Sequence, residues 1–514
     1  MNSKRLKNEI IRNSFWSFAT SFINRFGALI FTIIIARFLL PERYGLYSLA
    51  LSISLIFHTF ADLGINQSLV RFVSFSLSKN KRKISAYYHL LLKIKIYFTF
   101  ITSIALLILA YPMSFYIFKN SELFPLLILS AIYIFILSFE GFYSQAFYSI
   151  NKINYVSLKE FLSQILRIVF VLVIFNFFQQ KNYLLLIFAS LILITLILLI
   201  FSKHYIKKSL PIMFKKSSEK INKKRVLRFV GFLTIATISS IFFSYIDTIM
   251  LGFFVSVEYI GYYRAAFSLI LGIAGIFSFL SGALLPTLTK INRNKKEIVF
   301  NRAIRYLFIF TIPSIFGLII LSRYFIRLFY GYAYLPATLP LYFLSILIFP
   351  ITFLGILLTI FSAEERPEIF AKLILISCIM NIVLNLLLIK LLLFISPLWA
   401  TAGAAMATVL SWLFYLFFAI YLTKKEFNLK VSFKPLIAPL FSSVFMSIII
   451  LFGLRVFADI SFLNGLFMII LAIISYFLFM ILFKGVGKQE LEIIGIIKNH
   501  RESIKTFKKA PRPS

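Results

Sequence analysis

The sequence predicts an all-α integral membrane protein of 14 transmembrane helices, built as two parallel six-helix repeats followed by two extra C-terminal helices. Composition, segment length and an internal duplication lead to this prediction. Of the 514 residues, 61% are hydrophobic and only 14% are charged, and the mean hydropathy is +0.94. Soluble domains are about half apolar, so most of this chain is expected to lie within lipid.

Fourteen apolar segments are long enough to cross a bilayer, because about 20 helical residues cover the hydrocarbon core. The first two are Ser14–Phe38 and Gly45–Val73, joined by the short polar turn Leu40–Tyr44. The segments are continuously apolar rather than alternating, which favours helices over barrel strands. In chain order the others are Leu90–Tyr111, Leu123–Ile150, Tyr155–Phe178, Tyr183–Ser202, Phe229–Phe254, Ile260–Leu288, Ala303–Ser322, Ala337–Ala363, Ile369–Phe394, Trp399–Leu422, Pro435–Phe457 and Ser461–Phe483.

The basic residues fall mainly in alternate loops. The N-terminal stretch, the loop Lys79–Lys83, the linker 203–228 and the C-terminal tail hold many of the 54 Lys and Arg residues. Loops rich in Lys and Arg stay on the cytoplasmic side, so we expect a multi-pass protein of the cytoplasmic membrane with both termini inside. The net charge of +36 then follows from topology. It indicates contact with membrane lipids and not with nucleic acid.

An internal duplication relates the two halves of the chain. The stretch Ile33–Ala50 aligns on Ile249–Ala266. Both copies run in the same direction through the membrane, which indicates parallel repeats of the kind that rock against each other in transporters. The identical pairs are Ile33/Ile249, Phe38/Phe254, Glu42/Glu258, Gly45/Gly261, Tyr47/Tyr263 and Ala50/Ala266.

The repeat and the loops divide the chain into five predicted parts. These are an N-terminal six-helix bundle (1–207), a basic cytoplasmic linker (208–228), a C-terminal six-helix bundle (229–423), helices 13 and 14 (424–486) and a basic amphipathic cytoplasmic tail (487–514).

Four charged residues are predicted at one depth in the first bundle. Arg25, Asp62, Glu140 and Arg167 lie about 15–18 Å from the inner ends of their helices, at about 1.5 Å per residue. Charges at this depth either pair or line a watery pathway. In one interpretation the arginines bind a phosphate or an acidic sugar, while the carboxylates hold them in place or carry a coupling ion. In the other, Arg25–Asp62 and Glu140–Arg167 are ion pairs that fix helix packing.

The second bundle holds fewer polar candidates. Asp247 and Arg264 are expected near the outer ends of their helices, where they could pair with each other. Asn381 and Asn385 are one helical turn apart, so they could hydrogen-bond sugar hydroxyls or another helix. Lys95, just inside the third segment, is expected to extend its amine to the inner headgroups.

Three short stretches near the start of the chain form a recognisable pattern. They are Ala36-Arg37-Phe38-Leu39-Leu40-Pro41-Glu42-Arg43-Tyr44-Gly45-Leu46-Tyr47, Ala61-Asp62-Leu63-Gly64 and Leu69-Val70-Arg71-Phe72. This pattern resembles the opening of the polysaccharide transporters of bacteria and archaea. Members of that family are O-antigen flippases of the Wzx type, related to lipid II flippases and to multidrug and toxin extruders.

The resemblance implies the fold that these flippases share with the MATE extruders. It also implies a substrate, a polyprenyl-(pyro)phosphate-linked oligosaccharide, moved by alternating access for polysaccharide, O-antigen or other cell-surface glycan synthesis. The expected partners are this lipid-linked oligosaccharide, membrane lipids and the glycan polymerase or ligase machinery. We expect no cofactor, and an ion gradient (H⁺ or Na⁺) in place of ATP as the energy source.

Missing motifs argue against catalysis. The sequence contains no phosphate-binding P-loop and no His-Glu-x-x-His zinc motif, and Cys378 is its single cysteine. Short predicted outer loops leave no room for an external catalytic domain, so we expect a transporter and not a membrane-embedded glycan enzyme. The nearest alternatives are a drug or cation extruder of the same superfamily, whose cavity should be acidic, and a lipid II flippase.

Overall fold

The computed structural model describes residues 3–215, 219–277, 293–363, 367–456 and 462–485, which contain helices and no β-strand. The predicted tail 487–514 lies outside the described residues. So do part of the linker and the last part of the helix predicted at Ile260–Leu288.

Sixteen α-helices account for most of the described chain. The first half contributes α1 (Ser3–Asp62), α2 (Ile65–Lys79), α3 (Lys83–Pro112), α4 (Leu123–Ser149), α5 (Ile153–Phe177) and α6 (Tyr183–Ser209). The second half contributes α7 (Lys223–Phe254), α8 (Val257–Phe277), α9 (Arg293–Ile320), α10 (Ser322–Tyr330), α11 (Thr338–Leu344), α12 (Ile348–Ala363), α13 (Pro367–Leu393) and α14 (Pro397–Phe427). Two further helices, α15 (Ile437–Val456) and α16 (Phe462–Leu482), follow.

The prediction of an all-α membrane protein is confirmed. Within the described ranges, 12 helical stretches are long and apolar enough to cross a membrane. One of them, at 19–79, has 61 residues, enough for two crossings. Helix α5 is not among these stretches, but its 25 residues are enough for one crossing. The 12 stretches, a second crossing within residues 19–79 and helix α5 together agree with the 14 predicted crossings.

Two irregular points shape the first pair of crossings. At Leu40 the backbone leaves helical geometry (φ 61°, ψ 169°), since the residue before a proline avoids the helical region and Pro41 follows. The second crossing, predicted from the sequence as one helix at Gly45–Val73, is broken at Leu63 (φ 46°) and Gly64 (φ 71°). Asp62 therefore lies beside a break in a membrane helix, where backbone groups need other partners.

The two bundles meet along α1 and α8, which pack closely at the end that the charge pattern predicts to be outer. A Cβ on Gly45 would lie 1.7 Å from the carbonyl oxygen of Val257, and one on Gly261 would lie 2.1 Å from that of Pro41. Each glycine of the duplicated pair thus meets the backbone of the other repeat. The bundles can approach this closely only because neither residue has a side chain.

Helices α15 and α16 pack on the outside of the second bundle. Met446, Ile450, Met468 and Tyr476 form a buried cluster with Ile309 of α9. The Tyr476 hydroxyl donates to the carbonyl of Ile309 at 2.7 Å.

Candidate functional site

A cavity of about 480 Å³ lies between the two bundles and is lined by three arginines. Arg25 and Arg167 come from α1 and α5 of the first bundle, and Arg264 comes from α8 of the second. Four tyrosines and several smaller polar side chains complete the polar part of the wall: Tyr44, Tyr47, Tyr133, Tyr245, Asn24, Thr32, Ser48 and Ser268. We call this space the arginine cavity.

Among the described residues, the charged side chains that line the arginine cavity are all positive. None of the described residues that line it is Asp or Glu. Arg25 is exposed, whereas Arg167 and Arg264 are partly buried, and the Nε atoms of the latter two are buried without a hydrogen-bond partner among the described residues. A planar guanidinium with free N–H groups suits a phosphate or carboxylate, which can accept two parallel hydrogen bonds.

Aromatic rings and small residues position the three guanidinium groups. Arg264 lies over Tyr245 at 5.3 Å, and Arg167 lies over Phe31 at 5.8 Å. A Cβ on Gly275 would lie 2.8 Å from Cδ of Arg25, so this glycine leaves room for the Arg25 side chain. Ring faces attract cations, so they hold the arginines in place without neutralising them.

Of the two interpretations of the first-bundle charges, the one with the ion pairs Arg25–Asp62 and Glu140–Arg167 is wrong. Asp62 pairs with Lys95 (Nζ to Oδ1, 2.7 Å) and not with Arg25. Lys95 is fully buried, so the expectation that its amine reaches the inner headgroups is wrong as well. A lysine within a membrane helix can form an ion pair with a buried carboxylate of a neighbouring helix. It does so when its side chain is too short to bring the amine to the membrane surface.

Glu140 pairs with Lys159 (3.2 Å) and not with Arg167. Lys159 also contacts Glu160 at 2.8 Å, and the Ser202 hydroxyl donates to Glu140 at 3.5 Å. Asp62 and Glu140, the two acids considered as partners of the arginines, therefore pair with lysines instead. This leaves Arg25 and Arg167 free to face the cavity.

Asp247 lies in the second bundle and is held by neutral donors, so its expected pairing with Arg264 is wrong too. It is 2% exposed and accepts hydrogen bonds from Tyr263 Oη (2.9 Å), Thr408 Oγ1 (2.7 Å) and Asn385 Nδ2 (2.6 Å). No cationic group lies within 4.0 Å of its carboxylate in the described part of the chain. We call Asp247 and its three donors the Asp247 cluster.

The two asparagines lie at this cluster and not in the arginine cavity. Asn381 and Asn385 are both fully buried in α13. Both side-chain polar atoms of Asn381 and the Oδ1 atom of Asn385 lack a hydrogen-bond partner among the described residues. Buried amide oxygens without partners beside a carboxylate form an oxygen-rich environment that could accept a small cation or a water molecule. Within the described ranges, no three His, Cys, Asp or Glu side chains come together as metal ligands.

A family known as polysaccharide biosynthesis protein matches residues 10–292, which include the first bundle, α7 and α8. The chain belongs to this family. The match also includes every residue that lines the arginine cavity, whereas Asn385 and Thr408 of the Asp247 cluster lie beyond it.

Similar proteins extend the comparison to the whole chain. An uncharacterized membrane protein of Methanocaldococcus jannaschii is 23% identical over an alignment of 467 positions, gaps included, that covers 85% of this chain and 89% of that protein. The structure of the lipid II flippase MurJ in an inward closed conformation has a TM-score of 0.68 at 18% identity, over 91% of this chain and 98% of that chain. An inward-facing multidrug resistance MATE family transporter of the MOP superfamily has a TM-score of 0.61 at 12% identity, over 79% and 95%. The predicted flippase and MATE-like fold is therefore confirmed.

Sequence reasoning missed Arg264 as part of the cavity of this family member. The repeat contained the signal, since the alignment that pairs Gly45 with Gly261 also pairs Ser48 with Arg264. Both residues line the cavity. Lys95 and Lys159 were missed as partners because a sequence does not show which way a lysine stem turns.

Proposed function

We propose that this protein is a flippase that moves a polyprenyl-(pyro)phosphate-linked oligosaccharide across the cytoplasmic membrane for cell-surface glycan synthesis. The arginine cavity supports this proposal. Three arginines from both bundles, without a lining carboxylate among the described residues, suit a diphosphate that carries several negative charges. The hydroxyl groups of the surrounding tyrosines and serines suit the sugars attached to it.

The position of the cavity suggests how transport occurs. Arg25 and Arg167 belong to the first bundle and Arg264 to the second, so an anion bound by all three bridges the bundles. Without it, three like charges oppose close approach of the bundles. Binding of the headgroup then favours the rocking motion of alternating access, while the lipid tail remains in the bilayer. The chain would act as a transporter and not as an enzyme.

The Asp247 cluster is our candidate for the coupling site. A buried carboxylate held only by neutral donors can take up a proton or Na⁺ without breaking an ion pair. The free oxygens of Asn381 and Asn385 lie close enough in sequence and space to assist. Transport would then be driven by an ion gradient, with both termini in the cytoplasm.

A flipping assay tests the main proposal. Purified protein is placed in liposomes that contain a fluorescent polyprenyl-diphosphate oligosaccharide, and a membrane-impermeant quencher reports which leaflet holds the headgroup. We expect protein-dependent loss of protection, and loss of this activity when Arg25 and Arg167 are both replaced by Ala. Arg455→Ala is the matched control, because this arginine lies over Phe452, away from the cavity.

Two outcomes would count against the proposal. Normal flipping by a well-inserted Arg25→Ala/Arg167→Ala variant would remove the arginines from the transport path. If the vesicles move drugs or cations and no polyprenyl diphosphate, the protein is an extruder. The cationic wall of the cavity argues against that alternative, since a cation carrier requires acidic lining residues.

A further inference from the structure

Four tyrosines lie between the arginine cavity and the predicted outer side of the protein. Tyr44 lines the cavity, and its ring packs edge-on against Tyr334 at 6.2 Å. Tyr334 is fully buried and also packs against Tyr330 (5.4 Å) and Tyr262 (6.3 Å). We call these four residues the tyrosine cluster. It fills the space through which a headgroup would pass from the cavity to the outer side.

Hydrogen bonds tie the two bundles together beside this cluster. The Tyr334 hydroxyl donates to the carbonyl of Ala36 in α1 at 2.8 Å. Nε of Arg37 donates to the carbonyl of Phe329 at 2.7 Å, and another nitrogen of Arg37 donates to that of Leu328. All of these bonds join the first bundle to the second, so they must break if the bundles separate here.

The backbones of the bundles also meet at this level. The contact of Gly45 with Val257 and that of Gly261 with Pro41 leave no space for a Cβ atom. Tight packing and cross-bundle hydrogen bonds therefore coincide at one end of the cavity. A closed end of this kind has to open during alternating access.

We propose that the tyrosine cluster, with Arg37 and the contact of Gly45 with Gly261, is the outer gate of the transport path. Tyr334 is its latch, since its hydroxyl bonds across the bundles while its ring blocks the exit. Tyr330 is a neighbour of the same size whose buried hydroxyl has no hydrogen-bond partner in the described residues. Its ring fills the gate, but its hydroxyl does not hold the gate closed. The role of a gate rests on the proposed transport function, because a gate is needed only if a headgroup passes through the cavity. The contacts that form the gate do not depend on that function.

The two tyrosines give a matched test of the latch. Ser48→Cys, in the cavity wall, serves as reporter in a Cys378→Ala background, and a membrane-impermeant maleimide is added from the outer side. Tyr334→Phe should raise the labelling rate about fivefold, the factor expected from loss of one ordinary hydrogen bond. Tyr330→Phe should leave the rate unchanged. Equal rates in the two variants would overturn the assignment of Tyr334 as latch.

A second pair of variants tests the glycine contact. Gly45→Ala should raise reporter labelling by more than Tyr334→Phe does, because the new methyl group must displace the Val257 carbonyl. Gly231→Ala is its control, since a Cβ there would meet nothing within 4 Å. If Gly45→Ala left the labelling of well-folded protein unchanged, the outer gate would lie elsewhere.

The labelling experiment needs no substrate. Its result therefore tests the gate independently of the proposed transport function. If labelling responds as expected but no polyprenyl diphosphate is flipped, the gate stands and the substrate assignment fails. If flipping occurs while Tyr334→Phe and Gly45→Ala leave labelling unchanged, the gate assignment fails and the substrate assignment stands.

Discussion

The two halves of the protein accommodate their buried carboxylates differently. In the first bundle Asp62 and Glu140 each contact a lysine, Lys95 or Lys159. In the second bundle Asp247 is held by two hydroxyls and an amide. An ion pair fixes the charge state of both partners, whereas neutral donors leave a carboxylate able to exchange a proton or a cation. We therefore expect the first pair of acids to stabilise packing, and Asp247 is the coupling site that we propose.

The arginine cavity lies at the boundary between these halves. Because lysines already neutralise the acids of the first bundle, Arg25 and Arg167 face the cavity without a carboxylate partner among the described residues. These ion pairs leave the two arginines available for the anion that we propose. Four predictions test this division of roles, from the largest expected effect to the smallest.

The largest effect is expected from breaking the buried pair of the first bundle. Lys95→Met leaves the Asp62 carboxylate buried without its cation and should lower the free energy of unfolding by about 3–5 kcal/mol. The double variant Asp62→Asn/Lys95→Met should recover most of that loss and should still flip substrate. Thermal unfolding in detergent and the flipping assay measure the two effects. A stable double variant without flipping activity would show that the pair also acts in transport.

The next effect concerns the arginine that the second bundle supplies. Arg264→Gln should weaken binding of inorganic pyrophosphate about 10- to 100-fold, because charge-assisted hydrogen bonds are worth about 1.5–3 kcal/mol each. Calorimetric titration measures the change, and Arg455→Gln is the control. If the affinity for pyrophosphate were unchanged, the anion would be bound by the first bundle alone. It would then not bridge the two bundles during transport.

Asp247→Asn should separate coupling from movement. The amide keeps the size of the side chain but removes its charge, so gradient-driven accumulation should fall about tenfold. Flipping without a gradient should stay within about twofold of the parent. The comparison is made in the same vesicles with and without an imposed Na⁺ or H⁺ gradient. If transport by this variant still depended on the gradient, Asp247 would not be the coupling residue. Asp62 and Glu140 of the first bundle would then be the remaining candidates.

The smallest effect is expected at the break between α1 and α2. The Thr234 hydroxyl of α7 is shared between two carbonyl acceptors: that of Leu63 at 2.9 Å, where the helix no longer supplies a partner, and that of Val230 in its own helix at 3.0 Å. Thr234→Val should cost about 1 kcal/mol of unfolding free energy. Thr311→Val is the control, since that hydroxyl bonds within its own helix to the carbonyl of Leu307. Equal losses in the two variants would mean that the cross-bundle bond contributes little.

The sequence was sufficient to predict the helices and the repeat, because both depend on long patterns of apolar residues. It also singled out Arg25 and Arg167, since charges within apolar segments are rare. The partners were not predictable. Lys95 looked like a residue that extends to the surface. The close approach of Leu233 at Gly64, where an added methyl group would lie 2.5 Å from the Leu233 Cβ, is not visible in the sequence either. Such choices depend on which helix faces which, and this follows from tertiary packing.

The close approach at Gly45 and Gly261 also has an evolutionary consequence. In a symmetric dimer of identical six-helix units, a single sequence position would supply the glycine on both sides of this contact. In the fused chain the two positions can mutate independently, yet a side chain at either one fills the same gap. One turn further along each helix, Ser48 and Arg264 have diverged into a neutral and a charged residue. The halves thus differ in chemistry around a shared contact where a Cβ added on either side would overlap the backbone of the other half.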